Sequence, residues 1–374
     1  MKIALVVPGG VDRSGQARVI PCLLWLIERL AAGDEVHVFA LNQEPKPGRW
    51  PLLGAQVHNI GRRPRRLRAL AALIAEHRRA PFDIVHGFWA AGPGLVSAAF
   101  GRWAGLPAVL TLPGGDLTAM KDIGYGARIT WRGRLLVRLA LAGASKVVVQ
   151  SDWMARLAAR FGVKAERIPF GVALDRWPIA PPRPRDPDQP LRLLSVANLN
   201  RVKGHDLLLD ALALLKARGV AFHLDLVGLD TLDGAVQRRC SALGLDGEVT
   251  FHGFAPHAQL RPWFDAADLL LVTSRHEAGP LVALEAAVAG VPTVGAAVGH
   301  VDDWAPQAAV AVPIGDAGAL GEAIARLAQD EAERLRLAGA AQAWAVAADA
   351  DVTAGRTRAL YADCLRAPRG SAAG

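Results

Sequence analysis

Short, wholly apolar runs alternate with longer amphipathic stretches through most of this chain, and the alternation breaks only once. A run such as Ile3-Ala4-Leu5-Val6-Val7 has no polar side, so both of its faces need cover. A parallel sheet with helices on each face meets that need. The pattern predicts strands at 3–7, 35–40, 55–59, 83–86, 108–112 and 146–150, with helices between most of them. A second series follows at 191–197, 223–227, 249–252, 269–272, 293–296 and 310–313. Its helices fall near 204–218, 234–243, 281–289, 317–329 and 331–345. Between the two series, Pro178-Ile179-Ala180-Pro181-Pro182-Arg183-Pro184-Arg185-Asp186-Pro187 reads as a semi-rigid linker. At 374 residues the chain exceeds what one core usually holds. The expected architecture is α/β: two doubly wound, Rossmann-like domains, 1–180 and 181–349, facing a cleft. Ligands of such folds bind outside the carboxyl ends of the strands.

Composition narrows the class. Hydrophobic residues make up 52% and charged residues 21%, a soluble globular balance. No apolar run approaches the roughly 18 residues of a membrane span. The stretch 1–8 is too short for a signal peptide and reads as the first strand. Cys22, Cys240 and Cys364 are few, odd in number and scattered. That disfavours a disulfide framework or a zinc site and fits a reducing cytoplasm, so no metal is expected. The net charge of +8 is uneven: residues 1–180 hold 25 Lys+Arg against 12 Asp+Glu, the remainder 18 against 23. The densest cluster is Arg62, Arg63, Arg65, Arg66 and Arg68, with Arg78 and Arg79 closing the next helix. It reads either as a solvated arginine face or as a surface for an anionic acceptor or lipid headgroups, the latter placing the protein peripherally at a membrane. No nucleic-acid partner is expected, because no recognition motif or aromatic interleaving accompanies the charge.

Chemistry concentrates in His276-Glu277-Ala278-Gly279-Pro280-Leu281-Val282-Ala283-Leu284-Glu285. A Gly-Pro turn opens an apolar helix, and proline suits the first helical position. The amides of Leu281, Val282 and Ala283 would then point out of the helix start, where N–H groups and the dipole hold an anion. Glu277 precedes the turn, and Glu285 lies about a turn and a half into the helix. Carboxylates repel a phosphate, so both are expected at the rim of the site, facing hydroxyls. A sugar joined to a nucleoside by a diphosphate offers hydroxyls at both ends. Arg201 and Lys203, after the strand at 191–197, would add cations at the same sheet edge. The loop 9–16 after the first strand is glycine-rich, which permits close backbone approach or positive φ, but it lacks the spaced dinucleotide fingerprint.

With these residues go Lys203-Gly204, Leu226-Val227-Gly228, Val249-Thr250-Phe251-His252-Gly253-Phe254, Ala266-Ala267-Asp268 and Val312-Pro313-Ile314-Gly315-Asp316. Asp83-Ile84-Val85-His86 and Phe170-Gly171-Val172 add to them in the first half. Over nearly its whole length the chain resembles the retaining family-4 glycosyltransferases, which have the GT-B fold. The glutamate pair with seven residues between is the most specific match. The resemblance implies transfer of a hexose from a nucleotide sugar to an acceptor hydroxyl, with retained anomeric configuration, no metal and no cofactor. It gives the first domain to the acceptor and the second to the donor. It also sends the last helix, near 350–366, back to the first domain and implies hinge closure around the site.

By the same resemblance Glu277 would contact the donor sugar's hydroxyls, Glu285 the ribose and Lys203 the diphosphate. The turn at Ala278 and Gly279, with the amides of Leu281 and Val282, would hold the distal phosphate. Gly253 and Phe254 would meet the base through their backbone, and Gly15 would line the sugar and acceptor side. Glu277, Lys203 and Arg201 are the catalytic candidates. Three positions depart from the family pattern. Asn198 stands where an arginine is usual, with Arg201 as the replacement cation. Pro113 stands for a histidine, leaving Asp116 or His86 to serve the acceptor and sugar side, unless His86 is simply a satisfied strand-end histidine. Pro280 stands for a glycine and removes one backbone donor. Trp89 and Trp304 are candidates to stack on a sugar or to fill the core. Two other readings stay open: a nucleotide-sugar epimerase on the same fold, and a non-catalytic nucleotide-sugar-binding module.

Overall fold

Every residue of β1 (Lys2–Val7) is buried. Ile3, Leu5 and Val7 join one core, while Ala4 and Val6 join another on the opposite face. The period of two thus divides one apolar run between two layers of helices. β1 is central to the first of two units in the computed structural model, which describes residues 1–366. The chain continues through α1 (Pro21–Ala31), β2 (Glu35–Ala40), β3 (Gly48–Leu52), β4 (Ala55–Asn59), α2 (Arg65–Arg79) and β5 (Ile84–Phe88). It then forms α3 (Leu95–Ala104), β6 (Ala108–Thr111), α4 (Trp131–Ala142), β7 (Lys146–Val149), α5 (Asp152–Ala159) and β8 (Ala165–Arg167). The sheet order is β3-β4-β2-β1-β5-β6-β7-β8, parallel except for β3 against β4. β3 and β8 are the two strands that the apolar pattern misses. Both lie at sheet edges, where Arg49, Pro51, Glu166 and Arg167 are tolerated and no two-sided apolar run is needed.

The second unit repeats the plan. Its elements are β9 (Leu191–Val196), α6 (His205–Ala217), β10 (Phe222–Val227), α7 (Ala235–Ala242), β11 (Val249–Gly253), α8 (Arg261–Ala266) and β12 (Leu269–Val272). They are followed by α9 (Leu281–Val288), β13 (Thr293–Ala296), α10 (Gly299–Trp304), β14 (Ala309–Val312), α11 (Ala317–Gln329) and α12 (Glu331–Ala347). The sheet β11-β10-β9-β12-β13-β14 is parallel throughout. The last helix, α13 (Ala350–Arg366), packs Leu360 and Tyr361 into the first unit's core and places Arg358 Nε 3.0 Å from Asp34.

The division between the units falls after Phe170, not at residue 180, and 178–187 is not a linker. Trp177 is buried in the second unit, with its indole N–H donating to Glu285 O at 2.9 Å and its ring edge-on to Phe264. Ala180 N donates to Val288 O at 3.0 Å, and Arg183 donates to Asp265 O and Ala267 O at 3.0 Å each. The prolines have no N–H to satisfy, so an irregular segment docks here with few unmet donors.

Candidate active site

Past β9 the chain turns through Arg201–Lys203 into α6. Gly204 begins that helix with a φ of +68°, and a Cβ there would lie 2.3 Å from Thr273 O. Only glycine accepts both the left-handed backbone and so close an approach. The turn is tied to the end of β12: Thr273 Oγ1 donates to Lys203 O at 2.9 Å, and Arg275 N donates to Val202 O at 2.7 Å. These bonds deliver Lys203 to Glu277. Lys203 Nζ lies 2.6 Å from Glu277 Oε1, and Ser274 Oγ donates to the same oxygen at 2.6 Å. Both side chains of the ion pair keep partial access to solvent.

α9 starts at Leu281, so Pro280 is its N-cap rather than its first helical residue. Ala283 N donates to Pro280 O at 3.1 Å. The expected set of three outward amides is thereby reduced to those of Leu281 and Val282. Gly299, at the start of α10, backs this turn: its φ is +51°, and a Cβ would meet Pro280 Cδ at 2.9 Å and Glu277 O at 3.1 Å. Ala278 is buried in the same turn, whereas Gly279 is half-buried.

Glu285 corrects the expectation of two acids at an open rim. α9 is buried at every position from Ala283 to Val288, and Glu285 is only 3% exposed. Its Oε1 lies 2.6 Å from His257 Nε2, and the His257 ring packs on Trp177 at 5.1 Å between centroids. A residue in the second turn of a helix covered on all sides cannot reach the surface as a residue before its first turn can.

The other donor-side residues are dispersed around the carboxyl edge of the second sheet. Asn198 is exposed, and its Oδ1 accepts from Leu229 N at 3.1 Å. Arg201 is exposed and makes no ion pair or hydrogen bond through its side chain among the described residues. Gly253 closes β11 with a φ of +69°, no atom near its Cβ position, and its carbonyl accepting from Gly228 N at 2.8 Å. Phe254 follows it, 57% exposed.

In the first unit two expectations are corrected. His86 is 2% exposed, with Nδ1 2.6 Å from Tyr361 Oη and Nε2 2.6 Å from Thr111 Oγ1. Burial lowers its pKa to about 3, and it is a satisfied core histidine rather than an acceptor contact. Asp116 is equally buried: Oδ1 accepts from Ala90 N at 2.7 Å, and burial pushes its carboxyl up to about 6. It holds the turn after β5 and does not line an open surface. Trp304 is also core, stacked on His300 and edge-on to Trp344, while Trp89 is half-buried beside Gly114. Gly15 has a φ of +65° in a turn closed by its N–H to Asp12 O at 3.0 Å, with little around its Cβ position. The tighter constraint in that loop is Gly10, whose N–H, like that of Val11, donates to Gln43 Oε1.

Sequence spacing offers no metal-ligand pattern, yet the fold gathers His37, His58 and Glu76 so that one ligand atom from each lies within 4.8 Å of the others. Lys2 Nζ, 3.4 Å from Glu76 and 3.2 Å from Glu35, already places a positive charge in that cluster. Sequence reasoning also missed Ser274, His257 and Gly299. Ser274 sits two residues before the motif and was within reach of a local reading. His257 and Gly299 meet it only through the fold.

The second unit therefore presents an ammonium paired with a carboxylate beside an open helix start, at the carboxyl edge of a parallel sheet. Residues 179–344 match the model of the glycosyl transferases group 1, and residues 19–171 match that of the glycosyl transferase 4-like domain. The D-inositol 3-phosphate glycosyltransferase 1 of Catenulispora acidiphila is 30% identical over 344 residues, covering 81% of this chain and 78% of that protein. The chain belongs to the family-4 glycosyltransferases. Among solved structures, the sucrose-phosphate synthase of Thermosynechococcus elongatus superposes on this glycosyltransferase with a TM-score of 0.79 at 21% identity, covering 97% of this chain and 99% of that one. Anabaena HepE, solved in complex with UDP-glucose, gives a TM-score of 0.74 at 19% identity, covering 97% of this chain and all of that one. These likenesses give the glycosyltransferase the GT-B fold. Among its described residues, no helix is long and apolar enough to cross a membrane.

Proposed function

We propose that this glycosyltransferase moves a hexose from a nucleoside-diphosphate sugar to an acceptor hydroxyl, with retention of anomeric configuration and with neither metal nor cofactor. The donor binds the second unit and the acceptor the basic first unit. The observation that carries this reading is the Lys203–Glu277 pair, 2.6 Å apart beside the free amides of Leu281 and Val282. As the glycosidic bond breaks, negative charge grows on the leaving diphosphate. The ammonium and the two amides stabilise that charge more in the transition state than in the ground state. Glu277 accepts hydrogen bonds from the donor sugar's hydroxyls, and Lys203 turns to the phosphates. The base lies along Gly253 and Phe254. The departing phosphate takes the acceptor proton, so the chain needs no general base of its own. That HepE was solved with UDP-glucose supports a uridine donor.

A thermal-shift screen of nucleoside diphosphates and their sugar conjugates tests the reading, since a ligand bound only by the folded state raises its stability. At least one nucleoside diphosphate should raise Tm, and Lys203→Ala should weaken it by about 1–3 kcal/mol, the value of a charged hydrogen bond. Glu277→Gln should leave nucleoside diphosphate affinity within a few-fold and abolish slow hydrolysis of the matching sugar conjugate. No stabilisation by any nucleotide, or equal losses in both variants, would defeat the proposal.

A further inference from the structure

Arg62, Arg63, Arg65, Arg66 and Arg68 lie where β4 hands over to α2. None of their side chains forms an ion pair among the described residues, and only that of Arg65 is hydrogen-bonded there, Nε donating to Gly61 O at 3.0 Å. Other arginines of this unit have carboxylate partners: Arg13 on Glu44, Arg18 on Asp12, Arg29 on Asp351 and Arg358 on Asp34. Glu44 lines the polar hollow beside the cluster but is gripped by Arg13 at 2.9 and 3.2 Å. Arg65, Arg66 and Arg68 also occupy the first turn of α2, which contains no acid and whose N-cap, Pro64, has no side-chain acceptor. Cations at the positive end of a helix destabilise it, and like charges side by side add to that cost. A bound anion relieves both.

Three of the clustered arginines edge an apolar groove of about 900 Å³. Arg63, Arg65 and Arg66 line it together with Leu41, Leu67 and Val96. Its walls come from Pro8, Leu41, Pro64 and Gly92, which follow β1, β2, β4 and β5. This is the carboxyl edge of the first sheet, where folds of this kind take ligands. Leu67 is 67% exposed at the groove, between Arg66 and Arg68. The polar hollow shares Asn42, Arg63 and Arg65 with the groove and adds Arg18 and Arg62, so apolar and cationic surfaces are continuous.

We propose that this groove is the acceptor subsite and that the acceptor is an amphiphile. Its apolar chain lies in the groove, and a phosphate or diphosphate head sits on Arg62, Arg63 and Arg65. The assignment as acceptor rests on the reading that the second unit takes the donor. The groove makes a separate demand: charge and chain must be recognised together. Each methylene moved from water to an apolar wall is worth about four-fold in affinity.

Calorimetric titration of the full chain tests this with n-decyl phosphate, n-hexyl phosphate, decyl maltoside and inorganic phosphate, each below its critical micelle concentration. Decyl phosphate should bind at least ten-fold tighter than any of the other three, and more weakly as salt is raised. The double variant Arg63→Gln, Arg65→Gln should lose at least ten-fold for decyl phosphate and most of its salt dependence. Ala99→Phe, at an exposed groove position on α3, should lose as much for decyl phosphate and nothing for inorganic phosphate. Both variants should unfold as cooperatively as the parent and within a few degrees of its Tm, which shows that they are folded. Equal affinity for decyl maltoside, inorganic phosphate as tight as decyl phosphate, or variants without effect would overturn the proposal. So would binding to phosphatidylglycerol vesicles with none to monomeric decyl phosphate, since the arginines would then serve a membrane surface. If decyl phosphate binds as described but no nucleotide does, the groove stands and the donor reading falls.

Discussion

Gly204 shows how much one residue decides. Its left-handed φ, with Thr273 O only 2.3 Å from where a Cβ would stand, lets the turn set Lys203 against the end of β12. Gly204→Ala should cost about 1–2 kcal/mol from the left-handed backbone alone, with the clash added, and should weaken the proposed nucleotide binding by displacing Lys203. Gly253 has nearly the same φ, +69°, but nothing near its Cβ position. Gly253→Ala should therefore cost only the backbone part, about 1–2 kcal/mol. Urea unfolding of the two variants compares them directly, and equal losses would show that the approach to Thr273 carries no weight. The glycine after the lysine was visible in the sequence. Its reason was not, because Thr273 lies 69 positions away in the chain.

At the scale of elements, α9 and the docked proline segment explain where sequence reading succeeded and where it failed. α9 is apolar on every side because α12 and its own sheet cover it. A polar residue inside it, such as Glu285, must find a partner within the fold, and His257 supplies it. The segment 178–187 read as a linker because prolines are common in linkers, yet its carbonyls are held by side chains of the second unit. Buried Arg334 is central: it donates to Arg183 O at 2.6 Å, Asp268 O at 3.3 Å and the Glu331 carboxylate at 2.7 and 2.8 Å. Arg334→Ala should destabilise the protein by at least ~2 kcal/mol, since each buried acceptor left unmet costs about 1–3 kcal/mol. It should also open 178–187 to limited proteolysis. Unchanged protease resistance would show that the segment is held by packing alone.

For the molecule as a whole, buried titrating groups set the acid limit. Burial lowers the pKa of His58 and His205 to about 4 and that of His86 to about 3, against 6.5 for free histidine. The charge of Arg49 adds to the shift at His58, and that of Lys203 at His205. Below pH 6.5 the unfolded chain takes up these protons first, so the stability from three neutral histidines is complete above 6.5 and drains away toward pH 4. Asp116 acts in the opposite sense: with its carboxyl raised to about 6 from 3.8, the folded state binds that proton first as pH falls between those values. Three groups against one predict a net fall of Tm from pH 6.5 to 4. His86→Gln should lower Tm at neutral pH yet make the acid slope shallower; a slope equal to the parent's would remove His86 from this account.

By itself the sequence determined two α/β units, each on a mainly parallel sheet, and the positions of all strands but the edge strands β3 and β8. Those features rest on local period and on turn residues, which act over a few positions. It also held the evidence of the arginine cluster, though not of the groove beside it. Tertiary structure decided which groups meet. Lys203 reaches Glu277 because β9 and β12 are sheet neighbours, His86 is closed off by Tyr361 from the last helix, and Glu285 is turned inward to His257. Such pairings depend on strand order and packing between distant segments, and a one-dimensional pattern of apolar and polar residues does not encode that order.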